Sequence, residues 1–386
     1  MDLPKFLKKA SHRLPKRFYR IANEAFEATR GYVSSIESNS KEIKKMQSEL
    51  LQRYYRKDTK KLIIFFTPGV DLVNGGVMSI ASLFEETKHL KQIHESESIL
   101  CTYTSDPALL KYTKFKNNNF LFDFSQVLTY FSNLEALIIH IPEHYIYRFN
   151  LFITNSNRLQ LSKIKNVQIN ILIQNWDYLP SNKYIQGLGK LGKLTATTAH
   201  SKYSTLELRN RLGFPLHKLS VYVSPEQYSR KSYGEKENLL IVSPDPNSRK
   251  KEILNLIHRE LPELQIKIIQ NMTYEQYKQT ISRAKWALTF GEGLDGYFVE
   301  SVFSGAISFS VYKPEYFTQT FRPLRTIYAD YDILKEKICS DIMKLDDSAE
   351  YELYQRQQFE LCAIEYNHVN YVRNLELFYR RKYTYS

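Results

Sequence analysis

Short apolar runs alternate with helically spaced apolar positions from residue 61 onward. Residues 62–66, Leu-Ile-Ile-Phe-Phe, form a continuous apolar run of the kind that fills a buried parallel strand. The turn residues Asn74, Gly75 and Gly76 follow, and a helical pattern comes after them. Strand, glycine turn and helix predict the first βα unit of a Rossmann-like domain. The full G-x-G-x-x-G sequence is missing, so a dinucleotide is not the favoured ligand.

The same alternation continues to residue 345 and predicts an α/β fold with parallel strands. Further strands of the first part are predicted at residues 98–103, 136–141, 168–173 and 193–197. Residues 225–237 are polar and unpatterned, as in a linker. After them the pattern predicts strands at 238–243, 265–270, 285–290 and 306–311, with helices at 249–260 and 273–284.

These patterns divide the chain into four predicted segments. Residues 1–60 are predicted to form a basic helical extension, and residues 61–230 a first Rossmann-like domain. Residues 231–345 are predicted to form a second Rossmann-like domain. Residues 346–386 are predicted to be helices that pack back on the first domain.

The N-terminal segment combines helically spaced apolar positions with basic residues. Over residues 1–25 this pattern predicts an amphipathic helix that lies on an anionic membrane surface. A helix docked on the first domain and a disordered arm are the alternatives. Ile36, Ile43 and Leu50 are spaced seven apart, so residues 32–56 are a candidate helical hairpin or coiled coil for oligomer formation.

Charge and composition narrow the class of protein. The 386-residue chain has a formal net charge of +13, of which the first 60 residues hold +8, from 15 Lys and Arg against 7 Asp and Glu. A basic arm can bind nucleic acid or an anionic membrane. Nucleic acid is not expected, because the basic residues are not interleaved with aromatic residues along a domain face. No apolar run has the length of a membrane span. Three scattered cysteines and the absence of a secretory leader predict a cytoplasmic protein.

Polar residues at predicted strand ends are the first candidates for a site. His140 and His144 follow one strand, and either could deprotonate an acceptor hydroxyl. Asn175 and Asp177 follow the next, and with Asn74 they are the candidate acceptor-binding residues. A packed or surface position is the alternative for each of them.

Two carboxylates eight positions apart mark the second domain. A predicted strand ends at Phe290, a glycine-rich turn carries Glu292, and a helix carries Glu300. The carboxyl ends of parallel strands border the ligand site of such sheets, and helix N-termini there attract phosphates. The spacing therefore suits a sugar nucleotide, with one acid beside the substrate and one deeper on the helix. The alternative is an ordinary strand, turn and helix with one solvated Glu.

This stretch resembles the E-x7-E signature of retaining glycosyltransferases of the GT-B fold, family-4-like, whose pattern is Glu-Gly-Phe-Gly and then a helix with a second Glu. Here it runs Glu292, Gly293, Leu294, Asp295 and then Glu300. The resemblance implies that Glu300 holds the ribose hydroxyls and Glu292 lies beside the donor sugar. Residues 293–295 would also contact the donor. Asp295 departs from the pattern, since the family has Gly there.

The resemblance also implies the rest of the donor site. Arg249 and Lys250 stand near the Lys that grips the diphosphate in that family, although the family's Gly-Arg turn is absent. Gly75 and Gly76 correspond to a glycine loop that faces the cleft and the donor phosphates. The fold expected from the resemblance is two Rossmann-like domains facing a cleft, with residues 61–230 as the acceptor domain and residues 231–345 as the nucleotide-sugar domain. The acceptor would enter beside the His140 strand end.

The function expected from the resemblance is sugar transfer with retention, from a UDP- or GDP-linked donor to a glycan or lipid-linked glycan acceptor. The enzyme would be hexosyltransferase-like, would need no metal or other cofactor, and would build bacterial capsule or O-antigen-type polysaccharide. Its place would be the cytoplasm, at the inner face of the cell membrane. Alternatives are an epimerase-like enzyme acting on a nucleotide sugar, or a basic nucleic-acid-binding or membrane-binding module without catalysis.

Overall fold

The computed structural model describes residues 39–71, 75–103, 109–114, 117–200, 203–221 and 223–386. The predicted membrane-binding helix at residues 1–25 and the candidate Asn74 lie outside the described residues. Of the segment proposed for oligomer formation, residues 39–56 are described.

The first sheet has seven strands. They are β1 Lys61–Phe66, β2 Glu97–Thr102, β3 Leu121–Asp123, β4 Ala136–Pro142, β5 Asn166–Ile173, β6 Lys193–Thr198 and β7 Leu216–Lys218. Their order is β3-β2-β1-β4-β5-β6-β7, and β1 pairs in parallel with both β2 and β4. The strand order reverses at β1, which is typical of a doubly wound α/β sheet. Residues 62–66 are all buried, which explains why β1 reads as one continuous apolar run.

Helices of this part of the chain connect the strands. They are α1 Asn39–Tyr54, α2 Gly75–His89, α3 Lys91–His94, α4 Phe124–Tyr130, α5 Ile146–Phe152, α6 Asn155–Ser162, α7 Asn182–Gly189 and α8 Leu206–Leu212. The helix α1 packs on the chain's own sheet, because Leu51 is buried and Gln47 Nε2 donates to Leu121 O at 2.9 Å.

The second sheet has five strands. They are β8 Glu237–Val242, β9 Gln265–Ile268, β10 Ala284–Leu288, β11 Ile307–Val311 and β12 Ile327–Tyr328. Their order is β12-β11-β10-β8-β9, and every neighbouring pair is parallel. The helices that accompany it are α9 Lys250–Glu260, α10 Tyr274–Arg283, α11 Gly296–Phe303, α12 Tyr331–Leu345, α13 Ser348–Glu365 and α14 His368–Tyr379.

Both faces of the second sheet are buried. Leu240 and Val242 of β8 belong to one hydrophobic cluster, together with Trp286. Leu239 and Ile241, which point to the opposite face, belong to the other. Helices therefore cover the sheet on both sides, and the predicted α/β class with two Rossmann-like parallel sheets is confirmed.

The contacts group the chain into two compact units. Of the described residues, one unit comprises those within 39–71, 95–169 and 180–193, and the other comprises those within 75–94, 170–179 and 194–386. The domain boundaries drawn from the sequence stay predictions. None of the helices in the described ranges is both long enough and apolar enough to cross a membrane.

Candidate functional site

The loop between β10 and α11 is held in place by a helix cap. Asp295 precedes α11, and its Oδ1 accepts a hydrogen bond from Phe298 N at 3.1 Å. Its Oδ2 accepts from Thr289 Oγ1 at 2.9 Å, which closes the loop from the strand side. Burial raises the pKa of this carboxyl to about 7, although both hydrogen bonds oppose the rise. Asp295 therefore has a structural role as the N-cap of α11, and its predicted contact with a donor stays a prediction.

Gly293 gives the loop a conformation that few other residues adopt. Its φ is +101°, and a Cβ built there would lie 2.5 Å from Phe317 Cε2. The next residue, Leu294, is buried, and its carbonyl accepts from the Tyr366 hydroxyl at 3.2 Å. Glycine is needed here for the positive φ and for the close packing, so the direction of the Glu292 side chain depends on it.

Glu292 lies at the carboxyl end of β10 and is half-buried. Asn175 Nδ2 donates to its Oε1 at 2.8 Å, which joins two predicted site residues within one compact unit. Burial raises the pKa of Glu292, and the charges of Asp245 and Asp177 add to the rise. The Asn175 hydrogen bond and the charge of Lys313 lower it.

Glu300 lies on α11 and is 9% exposed. Its Oε2 is buried without a hydrogen-bond partner among the described residues. Burial raises the pKa of the carboxyl to about 7, while the nearby hydroxyls of Tyr228 and Tyr277 oppose the rise. A buried polar atom without a partner is costly, and a ligand hydroxyl that donated to it would remove that cost.

The loop after β8 places Lys250 and Arg249 differently. Lys250 Nζ turns back over the strand end and donates to Ser243 O at 2.5 Å and to Asp245 O at 3.2 Å. Burial lowers its pKa. Arg249 instead pairs with two carboxylates of the neighbouring helices, Glu252 at 3.0 Å and Asp332 at 2.5 Å. The Lys250 ammonium thus lies at the strand ends, and the Arg249 guanidinium is engaged in surface ion pairs.

Sequence reasoning missed two residues of this site. Lys313 follows β11, and its Nζ donates to Gly291 O in the Glu292 loop. Asp245 lies against the same loop, where its Oδ2 is 2.7 Å from the position that a Cβ on Gly291 would take. A cation directly after the strand that follows the E-x7-E helix was a readable signal for Lys313. Asp245 gave none, because its place depends on the fold of its loop.

The remaining candidates of this unit lie near residues 174–177. Gly75 and Gly76 begin α2, and Gly76 O accepts from Gln174 Nε2 at 3.0 Å. Asp177 is exposed, and its backbone N–H donates to Asn175 Oδ1 at 2.9 Å.

His140 and His144 belong to the other compact unit. His140 is fully buried in β4, and its ring stacks on Phe65 of β1 with centroids 4.4 Å apart. His144 lies half-buried in the short helix Glu143–Tyr145, where its ring meets Tyr145 edge to face at 4.8 Å. Their catalytic role stays a prediction.

Carboxylates of the described residues do not form a metal cluster. No group of three or more His, Cys, Asp or Glu within the described ranges is placed to hold a metal ion. The sequence contains an Asp-x-Asp motif, Asp330-Tyr331-Asp332, but its side chains are used locally. Asp330 caps α12, and Asp332 pairs with Arg249.

Comparison with known proteins supports the fold. No protein-family model matches the chain, and no curated protein matches its sequence. Among solved structures, the sucrose-phosphate synthase of Thermosynechococcus elongatus matches with a TM-score of 0.53 and 9% identity, over 84% of this chain and 99% of that one. The Anabaena protein HepE in complex with UDP-glucose matches with a TM-score of 0.50 and 8% identity, over 83% of this chain and 99% of that one. The chain therefore shares the two-sheet α/β fold of these two proteins, the GT-B fold.

Proposed function

We propose that the protein transfers a sugar from a nucleotide-sugar donor to a glycan or lipid-linked glycan acceptor. The observation that carries this proposal is the state of Glu300, whose Oε2 is buried and unpartnered among the described residues, eight positions after Glu292. The carboxyl would accept hydrogen bonds from the ribose hydroxyls. A neighbour of the same fold, HepE, is solved in complex with UDP-glucose, which favours a UDP-linked donor, with GDP as the alternative.

The charges around Glu292 suit the departure of a diphosphate. Lys250 and Lys313 place two ammonium groups at the carboxyl ends of β8 and β11, the strands on either side of β10. They would neutralise the charge that develops on the leaving phosphate. Arg249 was the other candidate for this role. Its ion pairs with Glu252 and Asp332 make it the weaker one. With two ammonium groups at the phosphates, the proposed reaction needs no metal.

Glu292 would lie beside the donor sugar. Asn175 holds its Oε1 at 2.8 Å, and burial raises the pKa of the carboxyl. A carboxyl held in this way could bind a sugar hydroxyl or stabilise positive charge on the reacting carbon. Retention of configuration, a hexose as the transferred sugar, and a role in bacterial surface-polysaccharide synthesis extend the proposal by the sequence resemblance. A place at the inner face of the cell membrane is part of the same extension.

A thermal-shift panel of UDP, GDP, CDP, CMP and ADP tests the proposal. A ligand that binds only the folded state raises the melting temperature as its concentration exceeds Kd. We expect one clear responder among the diphosphates, and we expect its shift to disappear in Glu300→Ala. The control is Glu336→Ala, which removes an exposed carboxyl of α12 and should keep the shift.

Failure of every nucleotide to stabilise the wild-type protein would overturn the proposal. For a nucleotide that does bind, incubation of its sugar conjugate without an acceptor separates transfer from epimerisation. Interconversion of the sugar in that reaction would replace the transferase by an epimerase.

A further inference from the structure

An aromatic pair begins directly after Asn175, the hydrogen-bond partner of Glu292, and has no part in the donor site described above. Trp176 and Tyr203 have nearly parallel rings, with an interplanar angle of 23° and centroids 6.4 Å apart. That separation is at the long end of the range for interacting rings, so the two rings do not fully cover each other. Both side chains are partly exposed. We call Trp176 and Tyr203 the aromatic platform.

The chain links the platform to the Glu292 carboxyl through Asn175. Trp176 begins the short helix Trp176–Tyr178, directly after Asn175, which donates to Glu292 Oε1 at 2.8 Å. The Tyr203 hydroxyl interacts electrostatically with the same carboxylate. Burial and the charges of Asp177 and Glu292 raise the pKa of this hydroxyl to about 12. The platform is thus connected to the Glu292 carboxyl through Asn175, and all of these residues belong to one compact unit.

Exposed apolar residues continue the two segments that carry the platform. Tyr178, two residues after Trp176, is 40% exposed, and Leu206, three residues after Tyr203, is 57% exposed. Arg211 lies over the Trp176 ring with its Cζ 4.7 Å from the centroid. Aromatic side chains that are held in place and still partly exposed are a common feature of binding sites.

The charges near the platform indicate what it binds. Carboxylates of Asp177, Glu292 and Glu315 act on the Tyr203 hydroxyl. One cation, Arg211, lies at the Trp176 ring. This environment disfavours a phosphate or another anion. An uncharged sugar suits it, since one face of a pyranose presents C–H groups to aromatic rings while its hydroxyls donate to carboxylates.

We propose that Trp176 and Tyr203 form a stacking platform for an uncharged sugar ring of the acceptor, beside Glu292. This inference rests on the proposed transferase function and names the chemistry of its acceptor. Asp177, already a candidate for acceptor binding, would accept hydrogen bonds from the hydroxyls of that ring.

Tryptophan fluorescence offers a direct measurement, because the chain has two tryptophans in very different settings. Trp176 is partly exposed, whereas Trp286 is fully buried in the second sheet. The full-length protein is titrated with millimolar lactose, cellobiose, maltose and the methyl glycosides of glucose, galactose and N-acetylglucosamine, and separately with UDP-glucose. Excitation at the red edge of the tryptophan band avoids the tyrosines.

We expect at least one saccharide to change the emission saturably in the wild type and not in Trp176→Phe. Tyr203→Ala should lower the affinity for that saccharide about tenfold, as for a ring at the centre of a binding site. Tyr203→Phe, which keeps the ring, should lower the affinity less. Tyr54→Ala, which removes a tyrosine that is 55% exposed on α1, should leave it unchanged.

Three results would overturn the inference. The first is the absence of any saccharide effect in a protein that a nucleoside diphosphate stabilises, which would leave the transferase function intact. The second is a response to a nucleotide sugar only, which would assign the platform to the donor. The third is a saccharide response that survives in Trp176→Phe. A saccharide response without any nucleotide binding would instead refute the proposed function and leave a sugar-binding surface.

Discussion

Asn175 and Glu292 are 117 positions apart in sequence and are joined by a 2.8 Å hydrogen bond from the Asn175 amide to Glu292 Oε1. Burial raises the pKa of the Glu292 carboxyl, and this hydrogen bond lowers it. Asn175 also accepts from Asp177 N, so its amide has a fixed orientation. The Asn175 amide therefore fixes the direction of Glu292 and favours its ionised form against the effect of burial.

Replacing Asn175 by Ala should impair turnover without impairing nucleotide binding. Loss of a hydrogen bond to a charged group costs roughly 1.5–3 kcal/mol, which corresponds to about a ten- to hundredfold fall in kcat. The pKa of Glu292 should rise further, so the acidic limb of the pH–kcat profile should move to higher pH. Turnover of a nucleotide sugar, measured as hydrolysis or transfer across pH, checks both effects.

The control for this change is Asn182→Ala, at an exposed position of α7, which should leave the profile where it is. A profile in Asn175→Ala that coincides with the wild type would show that Glu292 does not titrate in the reaction.

Glu300 should make folding stability depend on pH. Its pKa is about 7 in the folded protein and near the ordinary value of 4.5 in the unfolded chain. Between these values the folded state binds more protons, so this group lowers the free energy of unfolding as pH rises through that window. Glu300→Gln removes the effect. The melting temperature of the variant, relative to wild type, should therefore increase from pH 5 to pH 8, by an amount equivalent to roughly 1–3 kcal/mol.

Thermal melts at closely spaced pH values measure this difference. Glu336→Gln, an exposed carboxyl on α12, should follow the wild type at every pH. Parallel curves for Glu300→Gln and the wild type would mean that the Glu300 carboxyl is ionised without cost in the folded protein.

Gly293→Ala should destabilise the protein. The backbone there has a φ of +101°, and the new Cβ would meet Phe317 Cε2 at 2.5 Å. Strain and overpacking together cost roughly 1–3 kcal/mol. Gly234→Ala is the matched control, because a Cβ there meets nothing within 4 Å. Chemical denaturation of the two variants checks the contrast, and equal stabilities would contradict the loop conformation.

Local features of the site could be read from the sequence, and distant contacts could not. The apolar run of β10, the glycines after it and the helix that carries Glu300 are encoded within about twenty neighbouring residues. The fold class followed from the alternation of such units. The partner of Glu292 could not be predicted, since the contact with Asn175 depends on packing between segments far apart in the chain.

The two cations near the donor site show the same limit. Position along the chain suggested Arg249 and Lys250 together, because both follow β8. Their side chains point in different directions. Arg249 pairs with Glu252 and Asp332, whereas Lys250 donates to Ser243 O at the strand end. Lys313 comes from another strand and reaches the same loop through Gly291 O. Two residues adjacent in sequence thus need not share a site, whereas residues that follow different strands of one sheet can lie at the same loop.

This difference predicts which lysine and arginine changes affect phosphate binding. Lys250→Gln and Lys313→Gln each remove one ammonium group at the strand ends. Each change should lower the affinity for the nucleoside diphosphate about tenfold. Binding of the corresponding nucleoside, which has no phosphate, should stay within about twofold of wild type. Arg249→Gln is the matched control, because its guanidinium is held by Glu252 and Asp332, and it should leave both affinities nearly unchanged. Calorimetric titration with UDP and with uridine, or with the pair that stabilises the protein, gives both affinities. An equal loss of affinity for nucleoside and diphosphate would mean that the lysines stabilise the loop and do not bind the phosphates. A larger loss of diphosphate affinity in Arg249→Gln than in the lysine variants would mean that Arg249 binds the diphosphate.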